Sequence, residues 1–423
     1  MATTDASVYE QHRAAPGDIT LILPATDVSD PELSIVIPAL DEEITIGRFV
    51  DWCKEGIAAA GIRAEILIVD SSSDHTAEIA VAHGARVLKT PKRGLGRAYI
   101  DAIPYIRGRY VLMGDADCTY DFREIRPFMT KFRAGSEFLM GSRFTGSIED
   151  GAMPMLHRYF GTPLTTWILN VMYGTRFSDI HCGMRGVTLD ALKRMSLASQ
   201  SWEYASEMVL KSVHLDLITS EVPVRFLKDP EGRVSHLARG GWTSPWKAGW
   251  INLKAMFVFG ADFFLMIPGI LLLLVGFVPL CLLAFGPLTI GVVTLSINSM
   301  LLFLVAGILG LQLFLIGAIA QSLYDGIGLK RRRWLTIFSY TRTTLATAFA
   351  FVAGLVLVAR FVAGFIEQGY HFSDVLIEMN HEAIFGLFLM MASTVVFVSM
   401  LLIHAIGLYL PIPQAAEGRL HEL

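Results

Sequence analysis

The chain has 423 residues, 53% hydrophobic and only 17% charged, a more apolar balance than a soluble protein needs. A net charge of −4 argues against nucleic-acid partners, which call for a basic surface. Cys53, Cys118, Cys182 and Cys281 form neither a CxxC pair nor a metal-ligand spacing, and they fit a reducing compartment.

Residues 1–32 are mixed polar, with Pro16, Pro24 and Pro31, and lack the basic start and long apolar core of a signal peptide. They read as an extension, and the domain after them is expected in the cytoplasm. Leu33 to Pro38 is an apolar, β-branched strand. A helix from Ile44 to about Ala60 follows, opened by Asp41, Glu42 and Glu43, acids that suit a helix N-terminus. Glu65 to Val69 is a second strand, and Asp74 to about His83 a helix. Val87-Leu88 is a short strand, Leu95 to about Ile106 a helix, and Arg109 to Gly114 a strand. Apolar strands alternating with helices predict a parallel sheet covered on both faces. Ligands of such sheets sit at the carboxyl ends of the strands, which singles out Pro38 to Glu42, Asp70 to Asp74 and Asp115 to Thr119.

Beyond Gly141 the pattern is less regular. Helices are expected over His157 to Met172 and Glu203 to His214, and a strand over Leu217 to Leu227. Gly240 to Trp250 is rich in Trp, Gly and Lys, which favours a membrane–water boundary over an ordinary surface helix with buried tryptophans. Four apolar stretches follow, at about Phe263–Phe285, Leu288–Leu323, Leu345–Ile366 and Ala383–Leu410. Each supplies the ~20 residues that span a bilayer. The second is too long for one simple span, so part of it lies along the interface or its helix protrudes. The 324–344 loop holds Lys330, Arg331, Arg332, Arg333 and Arg342, whereas the 367–382 loop holds four acids and neither Lys nor Arg. The positive-inside bias then puts both termini and the 324–344 loop on the cytoplasmic side.

Asp115-Ala116-Asp117 leaves a strand for a loop with two carboxylates two residues apart. Mg²⁺ and Mn²⁺ take oxygen ligands, commonly one or two carboxylates plus substrate phosphates, so the triplet points to a metal-bound diphosphate. Asp70 ends a strand before a Ser-rich turn and can accept hydrogen bonds from a base or ribose, while Asp74 is placed to cap the next helix. Lys92-Arg93-Gly94-Leu-Gly96-Arg97 opens a helix with backbone N–H groups and cations, which suits either an anion or a plain basic surface turn.

Ser34-Ile-Val-Ile-Pro38-Ala39-Leu-Asp41-Glu42, Val69-Asp70-Ser-Ser72-Ser-Asp74, Arg93-Gly94-Leu-Gly and Gly114-Asp115-Ala116-Asp117 together resemble the inverting family 2 glycosyltransferases. Gly141-Ser-Arg143, His157-Arg158 and Asp179-Ile-His-Cys-Gly-Met-Arg185 resemble the branch of dolichyl- and polyprenyl-phosphate mannose and glucose synthases. The likeness covers about residues 33–260. It implies an α/β GT-A domain with a Rossmann-like, mostly parallel sheet over 33–239. An amphipathic juxtamembrane segment at 240–262, an all-α transmembrane domain of about four helices at 263–410 and a tail at 411–423 complete the chain. It implies that Pro38, Ala39, Asp41, Glu42, Asp70, Ser72, Asp74, Arg93, Gly94, Asp115, Ala116 and Asp117 hold the nucleotide sugar. Asp115 and Asp117 are implied to carry Mg²⁺ or Mn²⁺, and Arg143, Arg158 and Arg185 to grip the acceptor phosphate. Asp41 stands where many relatives carry Asn. Gln-x-x-Arg-Trp, the motif of processive synthases, is absent.

The implied reaction moves a hexose from a UDP-glucose- or GDP-mannose-class donor to polyprenyl or dolichyl phosphate at the cytoplasmic membrane face, with inversion. Relatives also imply a homo-oligomer. The acceptor phosphate is largely dianionic, its second pKa being near ~6, and needs no strong base. Catalysis then rests on positioning and charge, assigned to Asp117, Arg143 and Arg158. Glu207 lies where related enzymes with alcohol acceptors keep a catalytic acid and is a fourth catalytic candidate, orienting the acceptor or holding the sugar; a structural helix carboxylate is the equal alternative. Basic residues Arg225, Lys228, Arg233, His236 and Arg239 are expected to face an anionic leaflet. An alcohol-bearing lipid acceptor, or a lipid-sugar transport or scaffold role, are the rival readings.

Overall fold

The computed structural model describes residues 11–13, 18–233, 260–325, 328–370 and 374–410. The Trp-rich stretch at 240–250, His236, Arg239 and the 411–423 tail lie outside the described residues. The chain divides into two compact units, Met1–Met256 and Phe257–Leu423.

In the first unit the strands β1 (Gln11–Arg13), β2 (Thr20–Ile22), β3 (Leu33–Ala39), β4 (Ala64–Asp70), β5 (Arg86–Lys89), β6 (Tyr110–Met113), β7 (Phe138–Ile148), β8 (Arg185–Thr188) and β9 (Thr219–Phe226) form one sheet. Its order is β1-β2-β5-β4-β3-β6-β8-β7-β9. The central strands β5, β4, β3 and β6 are parallel, as the apolar runs predict. β8 runs antiparallel to both its neighbours, and β2 is antiparallel to β5. The helices α1 (Ile46–Ala60), α2 (Thr76–Ala82), α3 (Leu95–Ala102), α4 (Arg126–Arg133), α5 (Thr162–Tyr173), α6 (Leu189–Met195) and α7 (Tyr204–His214) lie among these strands. α3 is shorter than its apolar pattern, because Pro104 lies in a 3-10 turn over Ile103–Tyr105.

Burial explains the register. Leu33, Ile35, Ile37, Leu67, Ile68 and Leu112 are fully enclosed, as strands covered on both faces require. Polar support is equally buried. Glu65 accepts from Ser34 Oγ (2.5 Å), Arg86 Nη1 (2.6 Å), and Arg107 N (2.9 Å) and Nε (2.7 Å). β3 lies between β4 and β6, so chain order reverses direction across it, and the crevice beyond its carboxyl end is where such sheets take ligands.

The second unit holds α8 (Ala261–Leu283), α9 (Ile297–Tyr324), α10 (Leu329–Ile337), α11 (Tyr340–Glu367) and α12 (Asp374–Tyr409). Four of these, over Phe263–Leu283, Ile297–Tyr324, Tyr340–Glu367 and Met379–Tyr409, are long and apolar enough to cross a membrane. The over-long second stretch resolves into a hairpin, β10 (Leu288–Ile290) with β11 (Val293–Leu295), ahead of α9. Gly291, at φ 62°, makes its turn. α8 and α9 meet backbone to backbone. A Cβ on Gly276 would stand 2.1 Å from Gly307 N, and one on Gly310 would stand 2.2 Å from Leu273 N. Gly354 and Gly386 make the same kind of contact between α11 and α12. Arg331, buried at 4% exposure, donates to the carbonyls of Ser322, Asp325 and Leu410. It thereby satisfies carbonyls at the ends of α9 and α12.

Candidate active site

Three loops at the carboxyl ends of β3, β4 and β6 interlock. Asp41 takes a left-handed conformation (φ 49°), which Asp and Asn tolerate. Its N–H donates to Ser72 Oγ (2.7 Å), and its Oδ1 accepts from Ser73 N (2.9 Å). Asp and Asn both supply that acceptor, which accounts for Asp at this position. Glu42 N donates to Thr76 Oγ1 (2.9 Å). Asp74 accepts from Thr76 N (3.0 Å) and from Glu43 N (3.2 Å), so it joins the first two loops and serves the start of α2. Asp70 is fully buried, accepts from Ser72 N (3.2 Å) and pairs with Lys89 Nζ (3.0 Å). Pro38 and Ala39 close β3 beside these loops.

Asp115 and Asp117 leave β6 with Ala116 buried between them. Asp117 Oδ1 accepts from Thr119 N (2.9 Å) and Oγ1 (2.6 Å). Cys118 sits at φ 59°, uncommon for a residue with a Cβ and a frequent mark of a functional turn. Burial, and next the charge of Asp117, push the Asp115 carboxyl up to about 7. Asp117 is also raised, again by burial first, against the hydrogen bonds from Thr119. A Cβ on Gly183 would stand 2.6 Å from the Asp115 Oδ2, so a larger residue there would displace that carboxylate. Among the described residues no three His, Cys, Asp or Glu side chains converge as a ready metal cage.

Arg233 is the site residue that sequence reasoning misplaced. Instead of facing a leaflet, its guanidinium binds Glu42 (Nε to Oε2, 2.8 Å) and Asp229 (3.2 Å), and stands 3.5 Å from Asp117 Oδ2. Glu42 and Asp117 hold it more firmly charged than an ordinary arginine, against the opposing effect of its burial. Arg225 pairs with Asp121 (3.1 Å). Nothing in the linear pattern separates these two arginines from a basic surface run.

The predicted phosphate arginines diverge. Arg143 lies in a bulge, where residues 143–146 of β7 face Val224 alone on β9. Its Nε and Nη2 grip Asp179 at 2.6 and 2.8 Å, which leaves Nη1 outside that fork. Arg158 rises on a π-turn (His157–Gly161), with its guanidinium 5.6 Å from the centre of the Tyr159 ring. It has no carboxylate partner among the described residues. Arg185 is spent on structure: its donors go to the carbonyls of Cys182 (2.8 Å), Ile180 (3.1 Å) and Ala205. Arg93 is tied to Asp101 (3.2 Å), and Gly94 packs on the carbonyl of Gln200. Glu207, fully buried, accepts from Ala198 N and Ser199 N (both 2.8 Å) and pairs with Lys211 (2.6 Å). The structure therefore brings Glu42 and Asp117, from the ends of β3 and β6, together on Arg233, and leaves Arg185 and Glu207 holding loops.

The profile of glycosyl transferase family 2 matches residues 34–196. The low-salt glycan biosynthesis hexosyltransferase Agl6 of Haloferax volcanii is 35% identical over 327 residues, 77% of this chain and 76% of that protein. A dolichyl-phosphate hexose transferase of the same organism is 26% identical over 204 residues, 48% of this chain and 85% of that protein. A glucosyl-3-phosphoglycerate synthase from Mycobacterium tuberculosis, solved with Mn²⁺, UDP and phosphoglyceric acid, is 18% identical with a TM-score of 0.42, covering 54% of this chain and 78% of its own. With acids at the ends of β3, β4 and β6 on a mostly parallel sheet, and a hexosyltransferase matched along three quarters of its length, the chain belongs to glycosyl transferase family 2 and is a hexosyltransferase.

Proposed function

We propose that this enzyme transfers a hexose from a UDP-glucose- or GDP-mannose-class donor to polyprenyl or dolichyl phosphate, at the cytoplasmic face of a membrane. The observation that carries the reading is the state of Glu207. Both its oxygens are committed to Ala198, Ser199 and Lys211, so it is not available as a base. An alcohol acceptor needs one, whereas a phosphate monoester is already an anion. Arg158, and the free edge of Arg143, supply the cationic groups such an anion requires.

Asp115 and Asp117 fit a divalent cation of the Mg²⁺ or Mn²⁺ type. Among the described residues they are two oxygen donors without a third, and burial with mutual repulsion leaves Asp115 short of positive charge. When bound, the cation neutralises charge on the leaving diphosphate. The chain's own residues do the rest. The 38–42 and 70–74 loops seat the nucleotide, Arg143 and Arg158 aim the phosphate oxygen at the sugar C1, and displacement in line inverts that carbon.

The test is transfer by the purified full chain, with undecaprenyl phosphate, Mn²⁺ or Mg²⁺, and a panel of UDP- and GDP-hexoses. Metal-dependent sugar in the organic phase, matched by NDP release, is the expected outcome. NDP release without a lipid product overturns the phosphate acceptor.

A further inference from the structure

One turn connects the segments that carry Arg143 and Arg158. Asp179, fully buried, takes three bonds from Arg143: from its backbone N (3.2 Å), its Nε (2.6 Å) and its Nη2 (2.8 Å). The centre of the Phe226 ring lies 5.2 Å from the same guanidinium. Asp179 Oδ1 also accepts from His181 N (3.2 Å). The imidazole of His181 then reaches α5, where Nε2 meets Thr165 Oγ1 at 2.8 Å. That hydroxyl has one proton, and it lies 2.9 Å from the carbonyl of Gly161, the last residue of the π-turn that bears Arg158. Burial pushes the His181 imidazole down to about 4, so it is neutral and donates its single ring proton from Nε2 to the hydroxyl. A hydrogen-bonded path thus runs from Arg143 through Asp179, His181 and Thr165 to Gly161. The turn is braced from β7, β8 and β9: Ser178 Oγ meets Ser142 Oγ (2.6 Å) and Glu221 Oε2 (2.9 Å), and Arg185 Nη2 donates to the carbonyl of Ile180 (3.1 Å).

We propose that the Asp179-Ile180-His181 turn is a positioning device for the acceptor phosphate. Asp179 sets the fork of Arg143, and His181, through Thr165, ties the turn that bears Arg158 to the same frame. Asp179 has no exposed surface, so it acts through Arg143 and touches no substrate. Its two oxygens match the planar guanidinium, which fixes the plane of that group as well as its place. A guanidinium already held in one orientation loses less freedom when it meets a phosphate, and attack in line depends on that aim. The inference rests on the proposed phosphate acceptor and adds the residues that keep its two arginines in register.

The test is equilibrium binding of undecaprenyl phosphate to the full chain in detergent micelles, with undecaprenol as the uncharged control. Binding of UDP and GDP with Mn²⁺ checks the donor side of each variant. Asp179→Asn is expected to weaken the lipid phosphate at least about tenfold and to leave nucleotide binding unchanged. In an Arg143→Gln background the same substitution should cost no more than about a further twofold, because it acts through that arginine. Losses that add in full would overturn the role, since a merely structural carboxylate would weaken both backgrounds alike. His181→Leu should weaken the lipid phosphate about fivefold, and His181→Gln, whose amide N–H replaces the ring donor, should restore it. This second pair decides the matter if Asp179→Asn does not fold, and equal affinities in the two His181 variants would overturn the proposal. A wild type that binds nucleotide, but prefers the phosphate no more than the alcohol, defeats the phosphate-acceptor reading and this proposal with it. A wild type that prefers the phosphate, with Asp179→Asn and both His181 variants unaltered, defeats the positioning role alone.

Discussion

Arg233 Nη1 stands 3.5 Å from Asp117 Oδ2, so a guanidinium occupies the neighbourhood in which the donor's diphosphate and its cation are proposed to lie. Glu42 and Asp229 share that guanidinium. The arginine is thus a built-in counter-charge for acids that would otherwise repel one another.

Removing it should expose those acids to metal. Arg233→Gln is expected to tighten Mn²⁺ binding to the donor-free protein by about tenfold, or ~1.4 kcal/mol, and to weaken binding of the nucleoside diphosphate. Titration of free Mn²⁺ by EPR, with and without UDP or GDP, reads both effects. Unchanged Mn²⁺ affinity would remove the counter-charge role.

Asp115 gives the site a pH dependence. Its carboxyl titrates at about 7 in the fold, above the ordinary 3.8. The fold therefore favours the protonated form, and this contribution to stability is complete below about 4 and is lost as pH rises through about 7. In chelator, the Tm difference between the wild type and Asp115→Asn should widen at the wild type's expense from pH 5 to pH 8. Mn²⁺ should bind the wild type more tightly over the same rise, because it competes with a proton. A Tm difference that is flat with pH would contradict the assignment.

Glu207→Gln separates a loop anchor from a base. An anchor that loses one of two accepted N–H bonds should cost about 1–3 kcal/mol of stability, with turnover of the folded enzyme within about tenfold of normal. Loss of a general base removes about 10²–10⁴-fold in rate. Thermal unfolding and kcat measured on one preparation decide between these, and the larger loss of kcat at unchanged Tm would favour an alcohol acceptor.

Arg158→Gln addresses the acceptor directly. A charge-assisted contact of about 1.5–3 kcal/mol predicts a rise of at least tenfold in KM for the lipid phosphate, with donor binding unchanged. An unaltered KM for the acceptor would assign the phosphate elsewhere.

The central sheet was legible because β3, β4 and β6 are largely apolar runs, and their carboxyl ends carry the acids that the strand rule singles out. β7 and β8 were not legible. β7 mixes Gly, Ser, Thr and Arg through a bulge, and β8 is four residues long, so neither shows a clean period. The fourth long apolar helix runs over Asp374–Tyr409, a longer span than its apolar stretch alone. In the site, Asp41, Asp74, Asp115 and Asp117 follow their strands as read. Arg185 and Glu207 could not be assigned from pattern, since only their partners reveal that backbone groups consume them. Arg233 is the converse case, a residue whose meaning is set by Glu42, 191 positions away.

The glycine contacts in the second unit bear on how the protein is made. Gly276 with Gly307, and Gly354 with Gly386, let each pair of neighbouring helices close against itself. Each hairpin thus brings its own complementary surface to the bilayer, and α8 with α9 can pair before the ribosome has delivered α11. Biogenesis then becomes the docking of two finished halves. A side chain at Gly276 or Gly310 would block the earlier step, whereas one at Gly386 would leave the first half assembled and waiting.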